Sequence, residues 1–208
     1  MFIELVDVLR CPNTHEETWL VAAVDRLDGR YIAEGSLGCP ICRAEYPIRE
    51  FVAYFASPGK GMPVPPDVDA EGVTRLAALL GLSTPGGFIA LAAGQAAFAA
   101  PLAHEFDVQC VIVDPTALAT PGDGVSVLCA SHAPLSAGAM RGVVLDAGSG
   151  VSATALVHAL RTGGRMVAPA TAAVPNGIRE LARDAQHWVG ERVPDAGPLV
   201  PLTRNPAR

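Results

Sequence analysis

The chain has 208 residues, half of them hydrophobic and only 17% charged, with a formal net charge of −6. That balance rules out a wholly disordered chain and supplies apolar surface for one medium domain, or for a small domain joined to a larger one. Cations are sparse: residues 1–75 hold twelve acids and seven bases, and no Lys or Arg lies between Arg75 and Arg141. Phosphate backbones are gripped by clustered cations, so direct binding to nucleic acid is not expected.

Residues 2–10 space their apolar side chains as a short helix does, with Leu5 and Leu9 on one face. The acids Glu4 and Asp7 stand where a secretory signal carries bases, and five cysteines without a disulfide-like pattern suit a reducing compartment, so a cytoplasmic location is expected. Two strands follow, Trp19 to Val24 and Arg30 to Leu37, joined through the hairpin dipeptide Asp28-Gly29. Tyr46-Pro47-Ile48 and Phe51 to Phe55 close this first unit, 1–56. A stretch rich in Pro and Gly, 57–70, reads as a linker.

The remainder, 71–208, alternates helices with short apolar runs. Glu71 to Leu80 predicts an amphipathic helix, Phe88 to Ala93 a strand, Gln95 to His104 a helix and Val108 to Val113 a strand ending at Asp114. Val125 to Cys129 and Gly142 to Leu145 read as buried strands, followed by a helix from Ser152 to Arg161, a turn at Gly163-Gly164 and a strand from Arg165 to Ala168. Gly177 to Asp184 predicts a helix, and His187 to Val193 with Leu199 to Thr203 a terminal antiparallel hairpin. The fold class is α/β: a small α+β unit, then a doubly wound, mostly parallel, Rossmann-like sheet. The apolar stretch Gly86 to Ala103 is Ala- and Gly-rich and interrupted by Gln95, which argues against a transmembrane segment.

The most informative pattern is a pair of cysteines in a tight turn, Cys39-Pro40-Ile41-Cys42, preceded by Cys11-Pro12-Asn13-Thr14-His15. Two thiolates two residues apart can bind one ion, and Cys11 with His15 would complete the tetrahedron that Zn²⁺ prefers. His15 also has a plain reading as a polar loop residue. A closed four-ligand site is structural, because no coordination position remains for water or substrate. Cys110 and Cys129 lie inside apolar runs and read as small hydrophobic residues.

Leu9-Arg10-Cys11-Pro12 and Cys39-Pro40-Ile41-Cys42, with Ala44-Glu45-Tyr46-Pro47-Ile48-Arg49, resemble the small zinc-ribbon proteins that activate tRNA, rRNA and release-factor methyltransferases. His15 stands near a position where that family often has a second cysteine, and Phe51-Val52-Ala53 replaces its usual Gly-Ile-Pro. The second part is similar to class I S-adenosylmethionine-dependent methyltransferases. That likeness rests on Phe88-Ile89-Ala90-Leu91-Ala92-Ala93-Gly94, on Asp114 and on Leu160-Arg161-Thr162-Gly163-Gly164-Arg165-Met166-Val167. It implies Gly94 and Asp114 as the cofactor-binding residues, with Asp114 accepting the ribose hydroxyls.

Only Gly94 remains of the expected glycine-rich loop, and Leu145-Asp146-Ala147-Gly148-Ser149 is not an amide-gripping loop. The resemblance therefore points to a zinc-binding interaction or scaffold protein whose methyltransferase-like part has lost S-adenosylmethionine binding, with a protein partner and a possible homo-oligomer. No catalytic residue is assigned. The alternative is an active S-adenosylmethionine-dependent methyltransferase acting on a small molecule or protein, with His132 or Asp146 near the substrate.

Overall fold

The structure is a computed structural model that describes residues 1–60, 68–147 and 153–194. The expected strand Leu199 to Thr203, the Gly148-Ser149 part of the loop after Asp146 and half of the linker, 61–67, lie outside these residues.

The first segment begins with a 3₁₀ turn, Ile3–Val8, in place of the expected helix. It is followed by β1 (Val21–Asp28), β2 (Tyr31–Gly38), β3 (Glu45–Arg49) and β4 (Val52–Tyr54). After it come α1 (Ala70–Leu80), β5 (Phe88–Ala92), a 3₁₀ segment Ala93–Phe98, α2 (Ala99–Phe106), β6 (Gln109–Val113), β7 (Val125–Cys129) and β8 (Met140–Val144). The chain continues through α3 (Ala153–Ala159), β9 (Leu160–Pro169), β10 (Ile178–Arg183) and β11 (His187–Arg192).

The eleven strands of the described residues form one sheet in the order β1-β2-β3-β4-β7-β6-β5-β8-β9-β11-β10. The six central strands, β4 to β9, are parallel, and antiparallel strands flank them on both sides. The junction between the two parts of the chain is a ladder: β4 pairs in parallel with β7, Val52 opposite Val127 and Tyr54 opposite Cys129. The first segment thus adds its strands to the edge of the larger sheet.

Both faces of the sheet are covered, and the strands alternate between them with period two. Ile89, Leu91, Cys110, Ile112, Val125 and Val127 pack with α1 and α2 on one face. Ala90, Val111, Val113, Leu128 and Val143 pack on the other with α3 and with Leu5 and Leu9. Among the described residues, the connections 114–124 and 130–139 contain no helix. The N-terminal segment takes that place: Leu5 and Leu9 are fully buried, and Leu9 bridges Leu135. Arg10 donates its backbone N–H to Pro134 (2.9 Å), Ser136 to Val8 (2.8 Å) and Phe2 to Ser126 Oγ (2.9 Å). Burying one leucine is worth about 1.5–3 kcal/mol, so these contacts couple the two parts energetically.

Local chemistry explains the element ends. Asp69 caps α1 by accepting the Gly72 N–H at 2.7 Å, and Gly81, at φ +68°, ends it with Leu82 N–H returning to Ala77 O. Two expectations are corrected. Gly177 to Asp184 is not a helix: Ile178–Arg183 is the outer strand β10, paired with β11 and fastened by Arg179 to Glu191 at 2.8 Å. The Glu180–Arg183 ion pair, spaced as on a helix, sits instead across a bulge at Glu180. Among the described residues the antiparallel hairpin at this edge is β10–β11. The Gly163-Gly164 turn is an excursion inside β9, where pairing with β8 jumps from Met140–Leu160 to Gly142–Arg165.

Candidate metal centre and the crevice beside it

The antiparallel register of β2 and β3, Gly38 opposite Glu45, leaves Cys39 to Ala44 as the connecting turn. Cys39 N–H donates to Ala44 O and Arg43 N–H to Cys39 O, both at 2.9 Å, with Arg43 left-handed at φ +60°. The folded-back turn aims both sulfurs to one side. On the facing loop, Cys11 is held by its N–H to Thr18 O at 3.0 Å, next to the Arg10–Trp19 bridge. Cys11, His15, Cys39 and Cys42 converge so that their ligand atoms all lie within 4.8 Å of one another.

The spacing suits a metal ion. A tetrahedral zinc ion with bonds of about 2.3 Å to sulfur and about 2.0 Å to nitrogen has edges of about 3.8 Å (S–S) and about 3.5 Å (S–N). Cys11 Sγ to Cys42 Sγ is 3.7 Å, and Cys39 Sγ to His15 Nε2 is 3.4 Å. His15 Nδ1 lies 2.7 Å from Glu16 O, which fixes the proton on Nδ1 and leaves the Nε2 lone pair for the ion. The Ala44 backbone N–H, followed by the Asn13 amide, lowers the Cys42 thiol to about 6, favouring the thiolate that metals require. Burial pushes Cys11 up, and the Tyr46 hydroxyl, 3.3 Å from its sulfur, acts against that. Asn13, with its Nδ2 3.4 Å from Cys42 Sγ, and Tyr46 are thus part of the centre. Both lay inside quoted motifs, yet spacing alone gives no sign that an amide and a phenol orient the sulfurs.

At the carboxyl ends of the parallel strands, the two residues expected to bind a cofactor make contacts within the protein. Asp114, directly after β6, is fully buried. Its Oδ1 accepts the Thr116 N–H (2.7 Å) and hydroxyl (2.6 Å), and its Oδ2 accepts the N–H groups of Leu118 (2.9 Å) and Ala119 (2.8 Å). Both carboxylate oxygens are therefore engaged by its own loop. Gly94 donates its N–H to Asp146 Oδ2 at 2.6 Å. A Cβ at Gly94 would lie 2.4 Å from that oxygen, so glycine is required there by the carboxylate. His132 Nδ1 lies 3.1 Å from Ser131 Oγ at an exposed position.

Beside Gly94, a cavity of about 260 Å³ is bounded by Gly72 and Arg75 of α1, Gln95, Phe98, Gln186 and His187. His187 Nδ1 is buried without a hydrogen-bond partner among the described residues. Sequence reasoning missed this cavity, because its polar groups come from segments more than eighty residues apart that only the β9–β11 pairing brings together.

No family model matches the chain, and no curated protein is detectably similar to it. Solved structures with likeness to it include an S-adenosyl-L-methionine methyl transferase from Silicibacter pomeroyi (13% identity, TM-score 0.43, 61% of this chain and 99% of that one). The antibiotic-resistance methyltransferase Kmr is another, at 16% identity and TM-score 0.39, covering 59% of this chain and 93% of that one. A geranyl diphosphate methyltransferase in complex with SAM shares 20% identity at TM-score 0.37, over 49% of this chain and 55% of that one.

Proposed function

We propose that this chain is a zinc-stabilised interaction protein in which a zinc-ribbon segment, 1–56, is built onto a methyltransferase-like unit, 71–208, that no longer binds S-adenosylmethionine. The observation that carries the reading is the commitment of Asp114 and Asp146 to bonds within the protein. The carboxylate expected to hold the ribose is saturated by four donors, and the backbone at the one remaining loop glycine is occupied by Asp146. The residues present do not fit the cofactor without rearrangement of both loops. They do fit a metal: Cys11, His15, Cys39 and Cys42 would hold Zn²⁺ as a structural ion.

The β4–β7 ladder supports a built-in role for the ribbon, since it supplies strands and apolar cover to the larger sheet within one chain. The outward surface is where a protein partner would sit: Val21 and Leu27 of the outer strand β1, and Trp19 just before it, are largely exposed. Five unpaired cysteines suit a reducing cytoplasm, and among the described residues no helix is long and apolar enough to cross a membrane.

Calorimetric titration of the zinc-loaded protein with S-adenosylhomocysteine tests this. No saturable heat is expected. Micromolar binding that Asp114→Ala abolishes would overturn the reading in favour of an active methyltransferase. The cavity beside Gly94, with Arg75 and His187 on its wall, is the observation that favours this second reading.

A further inference from the structure

A second cavity lies at the opposite end of the parallel strands, away from the crevice. It encloses about 640 Å³ between the β1–β2 turn and the amino ends of β6 and β7, with Phe2, Tyr31, Phe51, Asp28, Asp123 and Gln109 on its walls. Ligand pockets commonly enclose about 300–1,000 Å³. Ligands of doubly wound sheets bind at the carboxyl ends of the strands, so this cavity belongs to no site the fold itself implies. It exists because the first segment is added to the sheet: Phe2, Asp28, Tyr31 and Phe51 come from one part of the chain, Gln109 and Asp123 from the other.

We infer that this seam cavity is a binding site for a small planar organic cation, an amidinium or aromatic ammonium. Three aromatic side chains form its apolar walls; Phe2 and Tyr31 are in ring contact, with centroids 5.5 Å apart. Two carboxylates supply its charge. The lining cation Arg30 is already ion-paired with Glu4, and its guanidinium lies over the Phe2 ring at 5.4 Å. Arg26, over Phe51 at 5.8 Å, is paired with Glu34. The aromatic faces here therefore already attract cations, and the surplus charge facing the cavity is negative.

Tyr31 is a fixed wall, donating to Asp123 Oδ1 at 3.0 Å and accepting the Gly124 N–H at 2.7 Å. The Gln109 amide oxygen is buried with no hydrogen-bond partner among the described residues. Rotation of that amide turns an acceptor toward the cavity, where an N–H of the ligand satisfies it. This inference is independent of the reading of the cofactor crevice.

The test compares benzamidine with benzamide, which share a shape and differ in charge. Both are titrated by calorimetry into the zinc-loaded full chain, and the site is mapped by amide chemical-shift changes. Benzamidine should bind saturably, at least about tenfold more tightly than benzamide, and shift Tyr31, Gly122 and Asp123. Asp28→Asn should weaken benzamidine about tenfold and leave benzamide unchanged; Asn is isosteric with Asp, and Asp28 is the last residue of β1, opposite Tyr31, with the turn itself made by Gly29 and Arg30, so this variant keeps the fold. Absence of saturable binding, equal affinity for the two probes, no effect of Asp28→Asn, or shifts confined to other surfaces would each overturn it.

Discussion

Asp146 Oδ2 accepts the backbone N–H of Gly94 at 2.6 Å, joining the loop after β8 to the loop after β5. These strands are neighbours in the sheet, and the chain departs from them toward opposite sides, so this is the point where an open α/β sheet ordinarily admits a ligand. The Asp146 carboxylate occupies the place against the backbone that the absence of a side chain at Gly94 creates.

Gly94→Ala should therefore destabilise the protein by about 1–3 kcal/mol, the usual cost of forcing a methyl group into filled space. In an Asp146→Ala background the same substitution should cost far less, because the Cβ then meets no oxygen. Denaturant melts of the two single variants and the double variant measure the coupling. Additive effects would show that Gly94 is glycine for a reason unrelated to Asp146.

Asp114 accepts four hydrogen bonds from its own loop. Removing a buried group that receives four hydrogen bonds leaves donors of Thr116, Leu118 and Ala119 without a partner, at about 1–3 kcal/mol for a buried unsatisfied group. Asp114→Ala should lower the melting temperature clearly with no cofactor present. A melt identical to that of the unaltered protein would mean the carboxylate is reserved for a ligand.

Much of this was readable from the residues. The apolar runs Phe88–Ala92 and Val125–Cys129 are continuous because both of their faces are buried, and continuity marks a central parallel strand. The convergence of Cys11 with the Cys39–Cys42 turn was equally legible, since residues able to hold a metal declare themselves by type and spacing. Ile178–Arg183 was not, because an outer strand exposed on nearly every side carries no apolar alternation, and its Glu180–Arg183 spacing imitates a helix. The Asp146–Gly94 contact was hidden for another reason: it joins residues that are neighbours only through the β5–β8 ladder. The replacement of crossover helices by Leu5 and Leu9 has the same origin.

The β10–β11 corner gives a pH prediction. Asp184 accepts backbone N–H groups from His187 and Gln186 and pairs with Arg75, which together hold its carboxyl at about 2, below the ordinary 3.8. A carboxyl with a depressed folded pKa contributes stability that is present above its unfolded value and lost as pH falls through the folded one. The contribution should thus be complete above about pH 4 and fade toward pH 2. It is small, because the group is exposed. Asp184→Asn should lower the melting temperature modestly at neutral pH, with the gap to the unaltered protein closing on acidification. A gap constant from pH 6 to about pH 2 would refute the assignment.

Metal removal separates two ways of joining the parts. Were 1–56 a ribbon tethered by a linker, chelation would unfold it alone and leave a second transition unmoved. Here β4 is hydrogen-bonded to β7, and Leu5 and Leu9 cover the part of the sheet face beside the connections 114–124 and 130–139, which contain no helix. Loss of an ion held at the proposed site would free Cys11 and the Cys39–Cys42 turn, and with them the register that holds this cover in place. A structural zinc site contributes its binding energy to folding, about 10 kcal/mol or more in small zinc domains. That is comparable to the margin by which most domains are stable, about 5–15 kcal/mol, so its loss would be felt throughout a sheet that both parts share. The expected outcome of chelation, or of Cys39→Ser, is one transition shifted down as a whole, with amide exchange accelerated in β7 and β6 as well as in β2 and β3. Elemental analysis should find one zinc per chain before chelation. Two separate transitions, with β6 and β7 still protected, would show that the ladder between β4 and β7 carries little of the stability.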